Sequence, residues 1–498
     1  MDYLAVRIAI LLWLVRPQDW LSGFGGFQFM QYAMLLAIVG VYKRPQGFHF
    51  KLLLQSPADW LVISYLAWIV YTTGDLFGTS RALIPFAAFY FCTALALSSI
   101  KKLSGFISCW VAGLGIAAIF ALSTHYGFEL APGSADLTSS LGGRLALNTW
   151  IFNNPNGLGH GLVALIPLAY VWLIWRRSLG VQVLGLLVIM LAAQTVYLTE
   201  SKGAYLCGAA ALTVTWLFRK PKILQASILL VVLTAGITAI KLLPRMENLS
   251  TQEEGIAGRL VIWQMAYNAM HNTVKGEGWK QFEAWVDTEE YGLFKKATHG
   301  SYANVGADLG YAGLFLFVGI MYAGARTLYQ STPDPDEDIE TVRCQRALLS
   351  LLSSFAASAW ILDRAYHTDY FILAGAIAAF HRLMTLRSSE EADEVQTMPE
   401  EAPNTLLTTA GAVPWMPSML PQATLAGHSP LIAFERQPNL YPEHSAIVEN
   451  VSEQSRINGF SPLLAWRRLT LMDFVFMTGA LYAVLFVWDR MMTNFITL

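Results

Sequence analysis

Residues 82–100 read ALIPFAAFYFCTALALSSI, and residues 228–240 read ILLVVLTAGITAI. Neither stretch carries a charge. The first is long enough, near the roughly 20 apolar residues a spanning helix needs, to cross a bilayer. Comparable runs recur along the chain. Of its 498 residues, 55% are hydrophobic and only 14% charged, against about a quarter charged in an ordinary soluble domain. The chain is therefore read as an all-α polytopic membrane protein, because lipid cannot satisfy an open strand edge. Spans are expected at 3–15, 26–42, 58–77, 82–99, 104–124, 157–175, 180–198, 203–218, 223–242, 305–328, 347–363, 370–385 and 470–488, about 12–13 transmembrane helices by the length rule. The first lacks a small-residue cleavage site after it and reads as a retained span.

Basic pairs fix an expected orientation. Lys43/Arg44, Lys101/Lys102, Arg176/Arg177, Arg219/Lys220/Lys222, Arg343/Arg346, Arg382/Arg387 and Arg467/Arg468 all fall on one side of this span order. By the positive-inside rule that side is cytoplasmic. The polytopic core is expected over 1–387 and a last span within 468–498. Between them, 388–467 opens with SSEEADEVQTMPEEAPN and reads as a flexible cytoplasmic linker. Cys92, Cys109 and Cys207 fall in spans and Cys344 in a loop. With no CxxC pair, neither a disulfide framework nor a zinc site is supported.

Three segments then lie on the outer side: about 126–156, the tight turn TESKGAY (199–205), and a long loop, 243–304. Within the loop, Leu260, Trp263, Tyr267 and Met270 recur at helical spacing, which predicts an amphipathic helix against the membrane surface. Several residues there carry possible chemistry. Lys202, just after the turn, is either a lysine snorkelling from a helix end or a functional cation. Arg259 is either a charge on a solvated face or a guanidinium suited to two phosphate oxygens. His299 is either a loop histidine or a general base, for which its unperturbed pKa near 6.5 suits it. Tyr302 follows it and could position a sugar or phosphate. In FNNPNGLGHG (152–161), Asn153, Asn154, Pro155 and Asn156 are turn formers, and His160 reads as a packed helix residue. VKGEGWKQF (274–282) is too short and wrongly placed for a nucleotide loop. The carboxylates Asp287, Glu289 and Glu290 match no recognised metal spacing.

Four stretches, FNNPNGLGHGLVALIPLA, TESKGAYL, GRLVIWQMAYNAM with GEGW, and THGSYANVGADLGYAGLFLF, occur in this order over roughly 145–325. Together they resemble the bacterial O-antigen ligase and O-antigen polymerase superfamily of inner-membrane glycosyltransferases. RPQDW (16–20) is also similar to the start of some polysaccharide-polymerase relatives. The resemblance implies transfer of a glycan from an undecaprenyl-diphosphate donor to a hydroxyl of a glycan, lipid or protein acceptor. The transfer would be inverting and metal-independent, with no cofactor, at the periplasmic face of the inner membrane. The setting would be lipopolysaccharide or exopolysaccharide assembly, beside other assembly proteins and without nucleic acid. His299 matches the family's base, and Arg259 its arginine near the donor diphosphate. Lys202 stands where the family has arginine in a Ser-Arg-Gly motif, so the charge stays and the two-pronged fork is lost. Tyr302 and Asn154 are expected to position substrate. Gly300 replaces a frequent asparagine, and the linker with its last span is extra to the family core. Two other classes are weighed. A lipid-linked-glycan flippase would place charges within several spans, whereas here polar residues collect at one face. A scaffold would tolerate replacement of Arg259 or His299.

Overall fold

The computed structural model describes residues 1–21, 23–44, 53–130, 138–141, 143–242, 254–282, 298–336, 338–397, 466 and 468–496. They form a helical membrane protein. The chain runs through α1 (Asp2–Val15), α2 (Phe29–Tyr42), α3 (Pro57–Thr73), α4 (Leu76–Ala96), α5 (Ile100–His125), a short hairpin, α6 (Pro155–Val163) and α7 (Leu165–Ala169). A π-helical turn, Tyr170–Ile174, extends α7. Then come α8 (Leu179–Thr199), α9 (Lys202–Leu217), α10 (Lys222–Leu242), α11 (Glu254–Asn272), α12 (Ser301–Gln330), α13 (Ile339–Ser358), α14 (Thr368–Thr397) and α15 (Leu471–Ile496). Every expected span overlaps a helix, but 347–363 runs past the helix end at Ser358 into the connection that follows. Among the described residues six segments are long and apolar enough to cross a membrane: α4, α5, Pro155–Ile174, α8, α12 and α15 over Leu471–Thr493.

Helix starts follow from capping chemistry, since the first turn leaves N–H groups without helical partners. Ser56 and Asp59 form a reciprocal capping box before α3, with Pro57 at the first helical position. Asp75, Ser99, Asn154, Ser201 and Asp338 accept from the first turns of α4, α5, α6, α9 and α13. α1 packs against α2 and α5, α12 against α3 and α11, and α13 against α9.

Several helices run between a polar end and a basic end. α8 ends, and α9 begins, at the TESK turn. Their other ends carry Arg176/Arg177 and Arg219. At the basic end Arg177 pairs with Glu340 at 3.2 Å, Arg176 with Asp336 at 3.0 Å, and Arg219 donates to the Tyr329 carbonyl at 3.0 Å. The last helix docks along α12. There Arg326 and Asp473 form a buried ion pair at 2.7 Å, with Tyr322 donating to the same carboxylate at 2.9 Å.

Four details differ from the sequence reading. Residues 138–141 and 144–147 pair as an antiparallel hairpin, turned at Gly143, whose φ of +81° favours glycine. Cys344 lies inside a helix that starts at Ile339, capped by Asp338. α14 continues to Thr397, past the expected linker start, on a run rich in helix-forming Glu and Ala; 398–465 lies outside the described residues. Finally, the apolar stripe of α11 does not lie on lipid. Trp263 and Met270 are buried, Leu260 and Tyr267 are half-buried against the core, and the helix packs on α12 and α15. Met270 and Trp488 of α15 both close on Gly306. Met1–Leu386 and Ala465–Leu498 belong to one compact unit.

Candidate active site

The first turn of α6 anchors one wall of the site. Asn154 caps it by accepting from Gly157 N at 2.7 Å. Asn156 Oδ1 accepts from Ser201 Oγ at 2.9 Å and from Arg144 Nη2 at 3.0 Å, while Arg144 Nε donates to the Thr199 carbonyl at 2.8 Å. Asparagine and arginine side chains thus weld the FNNPNG turn to the TESK turn. Glu200, left-handed at φ 48°, ends α8, and buried Ser201 caps α9. Lys202 is the first residue of α9 and is half-buried.

Arg259 sits half-buried on α11. Trp263 is four residues on and shares its face. The Trp263 indole donates to the Thr298 carbonyl at 2.8 Å. That bond places the Arg259 face of α11 beside His299, the next residue in the chain. His299 is half-buried and adopts φ 46°, a left-handed conformation that costs a non-glycine residue on the order of 1 kcal/mol. Gly300 follows in extended backbone. A Cβ there would lie 3.1 Å from the Trp360 carbonyl and 3.2 Å from the Trp263 indole nitrogen. A larger side chain there would press on both tryptophans.

The segment 358–369, SAWILDRAYHTD, joins these walls; the sequence reading placed 358–363 in a span and gave the segment no part in the site. Ser301 N donates to the Ala359 carbonyl at 2.7 Å. Ser301 Oγ donates to the Leu362 carbonyl at 2.7 Å and accepts from Arg364 N at 2.9 Å. Asn304 Nδ2 donates to Asp363 at 2.7 Å. The Arg364 guanidinium reaches Asp369 at 3.3 Å and the Gly157 carbonyl at 3.2 Å. Ser358 Oγ lies 2.9 Å from His160 Nδ1. His367 stacks on Trp150 with ring centroids 5.2 Å apart. Burial lowers the His367 imidazole to about 4, against the opposing pull of the Asp369 charge and with help from Arg364 and Lys280. Arg, Asp and His clustered between two apolar runs was the signal available, since ionisable groups at a membrane boundary are costly unless used.

GEGW also finds its place. α12 breaks at Gly310, φ +66°, and the loop carrying GEGW fills the break. Glu277 N and Gly278 N donate to the Ala307 and Asp308 carbonyls at 2.9 and 2.7 Å. The Asp308 carboxylate accepts from Lys280 N, Phe282 N and the Tyr366 hydroxyl at 3.0, 3.1 and 3.2 Å. A Cβ on Gly276 would come within 2.5 Å of this backbone, so the glycine serves close approach rather than nucleotide binding.

Of the expected site residues, Lys202, Arg259 and His299 all border the neighbourhood of 358–364. Tyr302 turns inward: it is 5% exposed and its hydroxyl donates to the Ala356 carbonyl at 3.0 Å. Asn154 spends its oxygen on the cap. Both therefore perform structural tasks here. Asp287, Glu289 and Glu290 lie outside the described residues, among which no cluster of three or more His, Cys, Asp or Glu side chains could hold a metal. Beside the Lys202 turn, an apolar groove of about 1220 Å³ opens between α5, α6, α8 and α9, with Tyr197 and Tyr205 in its wall.

Residues 186–318 match the O-antigen ligase family. The match contains Lys202, Arg259 and His299 and supports the O-antigen ligase and polymerase superfamily for this membrane protein. No curated protein matches the chain.

Proposed function

We propose that this protein is a glycosyltransferase that moves a glycan from an undecaprenyl-diphosphate donor to an acceptor hydroxyl at the periplasmic face of the inner membrane. The reading is supported by three neighbours of these residues that meet the segment 358–364, Gly203 against Ile361, Trp263 against Trp360 and Ser301 on the Leu362 carbonyl, by the family match that contains Lys202, Arg259 and His299, and by an apolar groove beside the Lys202 turn that would receive a polyprenyl chain. His299 takes the acceptor proton as the acceptor oxygen attacks the anomeric carbon. The bond from that carbon to the diphosphate oxygen breaks, and its electron pair leaves with the diphosphate. Arg259 and Lys202 stabilise the charge that develops there. Attack opposite the leaving group inverts the anomeric centre. Neither step calls on a metal, so a chelator is expected to leave the rate unchanged.

The acceptor decides between ligase and polymerase. Deleting the gene and analysing surface and lipid-linked glycans separates them. Loss of long chains with single units still attached identifies a polymerase, and accumulation of full-length lipid-linked chains identifies a ligase. An unaltered glycan profile overturns the proposal.

A further inference from the structure

We infer that Arg364 and His160 form the other half of the anion site, binding the diphosphate group opposite Arg259 and Lys202. The inference rests on the proposed diphosphate donor. Nothing in the family motifs points to either residue in this role, and Arg364 lies beyond the matched segment.

Three observations support it. First, His160 is 2% exposed, and its Nε2 has no hydrogen-bond partner. A buried polar atom of this kind calls for an explanation. With Ser358 Oγ at Nδ1, the tautomer that lets serine donate leaves an Nε2–H free to donate in turn. That nitrogen faces the first turn of α9, where a Cβ on Gly203 would sit 2.9 Å away. Second, the guanidinium groups of Arg259 and Arg364 both act electrostatically on this ring. Arg364 and His160 also line one small cavity, together with Ser358 and Asp369. Third, Arg364 is held at the first turn of α6, on the Gly157 carbonyl. A cation at a helix N-terminus opposes the helix dipole, whereas an anion there is favoured. The starts of α6 and α9, Ser201 and Asn156 meeting between them, both face this place.

The assignment also accounts for Lys202. A lysine binds phosphate as a point charge, and an arginine binds two oxygens as a fork. This chain lacks the family's fork at 202 and carries a guanidinium at 364, whose prongs rest on Asp369 and the Gly157 carbonyl until an anion takes them.

The test uses the full-length protein in lipid nanodiscs. Affinities for inorganic pyrophosphate and for undecaprenyl diphosphate are measured for wild type, R364K, R364Q, H160Q and R259A, with melting temperatures alongside. R364K keeps the charge and the partner Asp369 but not the fork, so it separates binding from folding. The expected result is about tenfold weaker binding in R364K, with melting unchanged, and about tenfold or more in R364Q. A smaller loss is expected in H160Q. Weakening for both probes supports a diphosphate site in general. Weakening for the lipid probe alone supports a lipid headgroup site. If R259A weakens binding while folded R364K and H160Q bind like wild type, the inference fails and the proposed function stands. If R259A also binds like wild type, the diphosphate reading fails with it.

Discussion

Replacing Asp308 with alanine removes the acceptor from two backbone N–H groups, those of Lys280 and Phe282, and from the Tyr366 hydroxyl. Asp308 is fully buried. A buried donor left unsatisfied costs about 1–3 kcal/mol. Three would cost more than the backbone can tolerate without local rearrangement, so the expected net loss is about 3–5 kcal/mol. Asp308→Asn keeps one accepting oxygen and should lose about half as much. The assay is thermal unfolding of the purified protein in nanodiscs, combined with amide hydrogen exchange. In both variants the Lys280 and Phe282 amides lose protection first. Glu277 and Gly278 bond to backbone carbonyls instead and should keep more of theirs. An alanine variant that melts with wild type, or keeps full protection at 280 and 282, refutes the reasoning.

Lys202→Arg should retain transfer, and Lys202→Ala should lower its rate about 10–100-fold; full activity in the alanine variant would make Lys202 a snorkelling helix-end residue. Asp473→Ala strands the buried Arg326 and should cost about 3–5 kcal/mol, while R326M combined with D473L recovers most of it. An acid-side stability loss is expected from His367. Its folded value of about 4 lies below the unperturbed 6.5, so the unfolded chain binds the extra proton. The contribution is complete above pH 6.5 and is lost as pH falls towards 4, about 2 kcal/mol by pH 5. His367→Gln should flatten that slope in pH-dependent melting.

The helices were legible because apolar length and capping residues are local properties. Ser56, Asn154 and Ser201 mark helix starts by chemistry that spans three or four positions. His299, Arg259 and Lys202 were legible as motif residues. The part played by 358–364 was not, because its bonds join distant positions: Ser301 to Leu362, Asn304 to Asp363, and Gly157 to Arg364. Nothing local distinguishes Tyr302 in the core from a tyrosine facing substrate. The role of GEGW was not legible for a related reason. A glycine that permits close approach looks, in sequence, like one that confers flexibility, until the broken helix it fits against is known. The α11 stripe had the right period, but periodicity does not say whether lipid or α12 covers it.

The most direct test of the central claim is glycan transfer by the purified protein in proteoliposomes, given a lipid-linked glycan donor and a candidate acceptor. Wild type is compared with His299→Ala and Arg259→Ala at equal membrane content. Transfer by wild type and none by either variant is the expected result. Transfer at the wild-type rate by His299→Ala would contradict it.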